Sequence, residues 1–171
     1  GQLGMMLAEA AKKLPEYVSE VIVLDPTKNC PAATVGAKQI VSDFKDKNAL
    51  TELAMQSDVL TYEIESGDSR VLKTLEKRTK INPSPETLAI IQDKLMQKEF
   101  LSNQLPVVEF TRINSLDDLK RKLEKFGYPA LLKARKDAYD GKGNFRINNQ
   151  EEIESAYEYF KGRETLLEKF L

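Results

Sequence analysis

The sequence predicts an α/β protein whose opening segment is built on a parallel sheet and whose second half folds as a separate unit. Three observations predict it. Two short apolar runs, Val21-Ile22-Val23-Leu24 and Asp58-Val-Leu-Thr-Tyr-Glu63, alternate with stretches of helical spacing, which is the rhythm of βαβ units. The run Asn82-Pro83-Ser84-Pro85 then interrupts that rhythm and sets a domain boundary near residue 84, giving segments 1–84 and 85–171. Finally, 41% hydrophobic and 31% charged residues in a chain of 171 supply enough apolar side chains for real cores.

Taken in order, Leu3, Met6, Leu7, Ala10, Ala11 and Leu14 recur at helical spacing with one apolar face. Val21 to Leu24 ends at Asp25-Pro26 and reads as a buried parallel strand. Asp46 is placed to cap a helix carrying Leu50, Leu53 and Ala54. Asp58 to Glu63 reads as a strand, and Val71, Leu72 and Leu75 mark the next helix. Because the chain opens on a helix, the parallel sheet is expected to have its first strand ahead of residue 1.

Beyond the boundary, Ser84 caps a helix with Pro85 at its first position, and two short helices break near Asp93. Val107 to Thr111 is expected to be a strand. Ser115 caps a helix with Leu116, Leu119, Leu123 and Phe126 on one face, and Asp117 and Asp118 lie in its first turn, where the helix dipole favours negative charge. Pro129 to Ala134 is a strand, Arg135 to Gly143 a polar loop, and Asn144 to Ile147 a strand. Asn149 caps a helix bearing Ile153, Ala156, Tyr157 and Phe160, and Thr165 to Leu171 is the last strand.

Composition narrows the function. Lys and Arg number 26 against 27 Asp and Glu, a net charge of -1, which disfavours a generic nucleic-acid or polybasic membrane binder. No apolar run approaches the ~18 residues of a membrane span. The absence of histidine removes imidazole acid–base chemistry and His-based metal or nucleophile motifs. The lone Cys30 excludes an internal disulfide and fits a reducing cytoplasm.

Three constellations and two lysines remain. Gly1-Gln2-Leu3-Gly4 opens a helix. It is either the tail of a phosphate-binding glycine motif or an ordinary turn. Thr61-Tyr62-Glu63-Ile64-Glu65 follows the carboxyl end of a strand, where open α/β sheets bind ligands, and strand alternation puts Glu63 and Glu65 on one face; a solvated strand end is the plainer alternative. Tyr139-Asp140-Gly141-Lys142-Gly143 is either a loop that closes over phosphates or a hairpin with a basic tip. Lys133 sits inside an apolar strand. Buried and unpaired it would be costly, so either an anion meets it or alternation turns it to solvent. Lys94, between two short helices, reads alone as a surface lysine.

The order of these pieces is more specific than any one of them. Gly1-Gln-Leu-Gly4, Leu24-Asp-Pro26, Pro31-Ala32, Thr61-Tyr-Glu-Ile-Glu65, Pro83-Ser-Pro85, Gln92-Asp-Lys-Leu-Met-Gln-Lys98, Gly127-Tyr-Pro-Ala-Leu-Leu-Lys133, Tyr139-Asp-Gly-Lys-Gly143 and Leu167-Glu168 form a series. It resembles the amino-terminal half of the N5-carboxyaminoimidazole ribonucleotide synthetases, ATP-grasp enzymes of purine biosynthesis. The resemblance runs over essentially the whole chain. It implies a Rossmann-like pre-ATP-grasp domain followed by the first, incomplete part of an ATP-grasp domain, ending at its hinge.

The same resemblance implies ATP-dependent carboxylation of 5-aminoimidazole ribonucleotide by bicarbonate through carboxyphosphate. It places the protein in the cytoplasm as a homodimer, acting on small molecules with no nucleic-acid or membrane partner. Lys94 and Lys133 are implied at the ATP phosphates. Ala138, Tyr139, Asp140, Gly141, Lys142, Gly143 and Asn144 are implied as the closing loop. Glu168, Lys169, Phe170 and Leu171 are implied as the segment that reads adenine through backbone groups. Gln2, Leu3 and Glu63 are implied at the ribonucleotide, and Tyr139 and Asp140 at the carboxylation site. Magnesium is implied, with its ligands expected outside this segment, so that the chain alone is expected not to turn over.

One departure bears on the loop. The family's Gly-Gly-Tyr-Asp-Gly is here Asp137-Ala138-Tyr-Asp-Gly, which predicts less freedom at positive φ at Ala138 and added negative charge at Asp137. Three other readings compete. A formate-dependent glycinamide ribonucleotide transformylase carries a serine-rich loop where this chain has Tyr-Asp-Gly-Lys-Gly. A non-catalytic phosphate-binding module would release no ADP. A dinucleotide oxidoreductase leaves Glu63 and the lysines without a role.

Overall fold

The computed structural model describes residues 1–138 and 143–171. The chain divides into two compact units, Gly1–Ala89 and Ile90–Leu171.

The first unit is α/β with parallel pairing. Helix α1 (Gln2–Ala11) is followed by β1 (Ile22–Leu24), α2 (Pro31–Thr34), β2 (Lys38–Ile40), α3 (Lys47–Met55), β3 (Val59–Leu60), α4 (Ser69–Leu75) and β4 (Lys80–Ile81). β1 pairs with β2, and β3 with β4, both parallel. Alternation along β1 explains why it reads as continuously apolar. Ile22 and Leu24 pack into a cluster with Leu50, Leu53, Leu60, Leu72, Leu75 and Leu88, whereas Val21 and Val23 pack against Ala8, Cys30 and Ala32. Both faces of the strand are thus covered, as parallel strands require. Asp46 caps α3 as expected, accepting from Asn48 N and Ala49 N at 2.8 and 3.1 Å; Asp68, not singled out in the sequence, caps α4 in the same way. Cys30 is fully buried and serves packing.

One expectation here is corrected. The strand read as Asp58–Glu63 extends only over Val59–Leu60. After Leu60 the backbone leaves the ladder and bends over 63–67 toward the Asp68 cap, so Glu63 and Glu65 are exposed loop residues and strand alternation does not apply to them. The short strands β2 and β4 have no sequence signature of their own; pairing with β1 and β3 is what makes Lys38–Ile40 and Lys80–Ile81 strands.

α5 (Pro85–Ile91) spans the division between the units, with Ser84 Oγ accepting from Thr87 N at 3.2 Å. The second unit contains α6 (Lys94–Ser102), β5 (Phe110–Ile113), α7 (Leu116–Phe126), β6 (Ala130–Ala134), β7 (Asn144–Ile147), a 3-10 turn at Gln150–Glu152, α8 (Ile153–Tyr159) and β8 (Thr165–Lys169). The sheet is antiparallel, in the order β5-β8-β6-β7. β5 lies two to three residues later than the expected Val107–Thr111, because its ladder is fixed by β8, where Phe110 stands opposite Glu168 and Ile113 opposite Thr165. One sheet face carries Ala130, Leu132, Ala134, Ile147 and Leu167 into a core with Leu119, Leu123, Ile153, Ala156 and Phe160 of α7 and α8. The other face carries Leu131, Lys133 and Glu168.

At the start of α7, Asp118 is 6% exposed and is held by Lys122 Nζ at 2.8 Å, Arg121 at 2.6 Å and Asn114 N at 3.0 Å. Lys120-Arg121-Lys122 is therefore not simply a solvated basic face, since Lys122 is tied to Asp118 and Lys120 to Glu154. The Lys122 ammonium, then the Arg121 guanidinium and the Asn114 N–H, outweigh the cost of burial and lower the Asp118 carboxyl to about 2. A carboxyl depressed in the folded state stabilises it fully above the unfolded value near 3.8, and that contribution is lost as pH falls from about 4 toward 2. We expect Asp118→Asn to cost on the order of 1–2 kcal/mol at pH 7, screening at the exposed Arg121 included. The gap from wild type should narrow steadily below pH 4 in urea titrations.

Candidate functional site

The face of the antiparallel sheet opposite the α7–α8 core carries the basic site. Glu168 lies on β8 and is 4% exposed. Its Oε2 is 2.7 Å from Lys133 Nζ of β6, and its Oε1 is 2.9 Å from Lys98 Nζ of α6. The Lys98 contact lies outside hydrogen-bonding geometry, so among the described residues Oε1 is buried without a hydrogen-bond donor and the tie to Lys98 is Coulombic. Lys98 also stands 5.6 Å from the centroid of the Phe110 ring. Lys133, 22% exposed at its side chain, is thus neither turned fully to solvent nor buried unpaired. Glu168 resolves the cost that the sequence left open.

A second, fully buried pair joins the start of α6 to the end of β6. Asp93 caps α6 by accepting from Leu95 N at 3.0 Å. Its two oxygens accept from Arg135 Nε at 3.0 Å and a terminal guanidinium nitrogen at 2.5 Å. The Arg135 carbonyl in turn accepts from Lys94 N at 2.9 Å. Burial raises the Asp93 carboxyl, but the Arg135 guanidinium and the Leu95 N–H outweigh it and hold the pKa below the usual carboxylate value. This pair fixes the backbone of Lys94 to the strand that carries Lys133. Arg135 also meets Glu164 at 2.8 Å.

The loop that follows is anchored at both described ends. Arg163 donates to the carbonyls of Lys136 and Asp137 at 2.8 and 2.9 Å. Asp137 adopts φ 51°, the left-handed region. The positive φ thus falls at Asp137, which stands where the family pattern has its first glycine. Asp is among the few non-glycine residues that tolerate this region. Asp137→Gly should leave stability within about 1 kcal/mol, while Asp137→Val should cost about 1–3 kcal/mol, read as a shift in urea midpoint. Gly143 lies where a Cβ would collide with the Ala138 side chain, and its carbonyl accepts from Ala134 N at 2.9 Å. Tyr139, Asp140, Gly141 and Lys142 lie outside the described residues.

The remaining expected residues are spread. Asn144 stands opposite Lys133 on β7. Lys169 ends β8, and its N–H donates to Glu109 O at 2.9 Å. Phe170 and Leu171 follow the strand, and the Phe170 ring lies 4.2 Å from the Arg146 guanidinium. Gln2 and Leu3 are exposed in the first turn of α1, and Glu63 is exposed beyond β3, all in the first unit. Lys98, Asp93 and Arg135 were given no role by the sequence reading. Lys98 left a signal, because Lys94 and Lys98 are four residues apart on one helix, and like charges at that spacing repel unless an anion lies nearby.

A parallel α/β unit followed by a four-stranded antiparallel sheet is the order of the front of an ATP-grasp protein, and an ATP-grasp domain model matches residues 98–171. More particularly, the chain belongs to the ribonucleotide synthetase pre-ATP-grasp family, whose model matches residues 1–92. Among its relatives is the N5-carboxyaminoimidazole ribonucleotide synthase of Staphylococcus epidermidis, 37% identical over 172 residues, covering 100% of this chain and 45% of the relative. Among solved structures, the N5-carboxyaminoimidazole synthetase of Staphylococcus aureus with ADP matches at TM-score 0.92 and 35% identity, over 100% of this chain and 45% of that one. The Aspergillus clavatus N5-carboxyaminoimidazole synthase, in complex with ADP and 5-aminoimidazole ribonucleotide, matches at TM-score 0.89 and 36% identity, over 99% of this chain and 44% of that one. The chain thus spans about half the length of the relatives it matches.

Proposed function

We propose that this chain forms the front part of an ATP-dependent ligase that carboxylates 5-aminoimidazole ribonucleotide with bicarbonate, giving N5-carboxyaminoimidazole ribonucleotide in purine biosynthesis. The observation that carries the reading is the Lys133–Glu168–Lys98 cluster, which contains Lys133 and Glu168, two of the residues that the resemblance implies at ATP. The names of the relatives, and the ADP and ribonucleotide bound by one of them, support the choice of substrates.

In this reading, Lys94 and Lys133 hold the phosphates, and residues 138–144 close over them with Tyr139 and Asp140 beside the carboxylation centre. Backbone groups of Glu168 to Leu171 meet adenine, while Gln2, Leu3 and Glu63 hold the ribonucleotide. A bicarbonate oxygen attacks the γ-phosphorus, ADP leaves, and carboxyphosphate forms. The exocyclic amine then attacks its carbonyl carbon, phosphate departs, and the amine loses a proton to leave the carbamate. Such phosphoryl transfer needs positioning and charge neutralisation more than acid–base groups, which suits a segment without histidine. Magnesium would neutralise phosphate charge. Among the described residues no group of three or more ligating side chains is placed to hold a metal ion, so they do not fit it and no step here is routed through it.

The protein is assigned to the cytoplasm, acting as a homodimer on small molecules, with neither nucleic acid nor membrane as partner. The net charge of -1 fits that assignment. Among the described residues, no helix is long and apolar enough to cross a membrane. Titration calorimetry on the protein at its natural length tests the nucleotide site: ADP should bind in the presence of magnesium, and Lys133→Ala should weaken it at least about tenfold. Unchanged affinity in the variant removes Lys133 from the site.

A further inference from the structure

We infer that Lys98 is a positioning residue that sets the charge of the phosphate site by neutralising Glu168, leaving Lys133 available to an incoming anion; this rests on the nucleotide-binding reading of the same face. Glu168 is 4% exposed, and a carboxylate so buried must be compensated by charge within reach. Were Lys133 its only partner, the pair would be neutral. Moving the Lys133 ammonium toward a phosphate would then strip the carboxylate of its counter-charge. The second ammonium, Lys98 Nζ at 2.9 Å from Oε1, changes that balance. Two ammonium groups against one carboxylate leave the cluster net positive, and Glu168 stays compensated when Lys133 turns to a ligand.

The geometry separates the two lysines by role. Lys133 holds Oε2 at 2.7 Å from the adjacent strand of the sheet. Lys98 approaches the other oxygen from α6, without a hydrogen bond to it and steadied by the Phe110 ring. Its contribution is therefore charge rather than directional bonding, and it needs no contact with the ligand.

The test compares ADP with adenosine, by titration calorimetry on the natural-length protein and on Lys98→Met and Lys98→Arg, with thermal midpoints checking folding. Lys98→Met should weaken ADP about tenfold or more while adenosine changes less than about twofold, because only the phosphates sense the lost charge. Lys98→Arg should keep ADP within about threefold of wild type, since it restores the charge. Equal weakening of ADP and adenosine, or ADP affinity unchanged in Lys98→Met, overturns the inference while the nucleotide reading stands. Wild-type protein that binds neither ligand overturns both.

Discussion

Lys133→Ala is expected to abolish ATP-dependent turnover of the natural-length protein while leaving it folded. A lysine directed at the transferring phosphates stabilises charge that builds up in the transition state, and removing one such group costs on the order of 10²–10³ in rate. The structure adds a second loss. Without the Lys133 ammonium, the Lys98–Glu168 pair that remains is neutral, so the net positive charge facing the phosphates is lost. We therefore expect kcat/KM to fall by about 10³ or more. Lys133→Ala with Glu168→Gln should recover part of the ADP affinity but little of the rate. Folding should survive, because Lys133 is on the face opposite the core of Leu132, Ala130 and Ala134. Steady-state ADP release and a thermal midpoint on the same samples check both halves. Wild-type ADP release from the variant contradicts the phosphate role.

The largest stability effect is expected at Asp93 and Arg135. These side chains are 1% and 6% exposed and joined through both carboxylate oxygens. Breaking a buried pair by removing one member costs about 3–5 kcal/mol, because the survivor is left uncompensated. Asp93→Ala also removes the cap of α6, worth about 1 kcal/mol. Arg135→Met should show the same scale of loss, whereas Asp93→Leu with Arg135→Met should be milder than either single change. Urea midpoints across that double-mutant cycle check it. If the double variant restores stability, yet ADP binding stays weak, the pair's role is to place Lys94 relative to Lys133 rather than to hold the fold.

What the sequence made legible follows from where the physics is local. Caps at Asp46, Ser84 and Ser115 act over two or three residues, and the helices they begin are where local spacing puts them; Asn149 caps the 3-10 turn ahead of α8 rather than α8 itself. Strand extents are not local. β3 stops at Leu60, and β5 starts at Phe110, because partners elsewhere in the chain decide how far each ladder runs. The site divides along the same line. Lys133 was legible as a charge in an apolar strand, but its partner Glu168 lies 35 residues away in sequence on β8. Arg135 and Asp93 are 42 residues apart, and spacing carries no trace of such a pair. Asp137 was legible only as a departure from a family pattern; its positive φ is visible only in the backbone.

Product formation tests the proposed substrate pair most directly. Natural-length protein is incubated with ATP, magnesium and bicarbonate, with and without 5-aminoimidazole ribonucleotide, and ADP and carboxylated ribonucleotide are counted together. ADP release should need the ribonucleotide and match the carboxylated product one for one. Release that instead requires glycinamide ribonucleotide and formate, or no release with either pair, contradicts it.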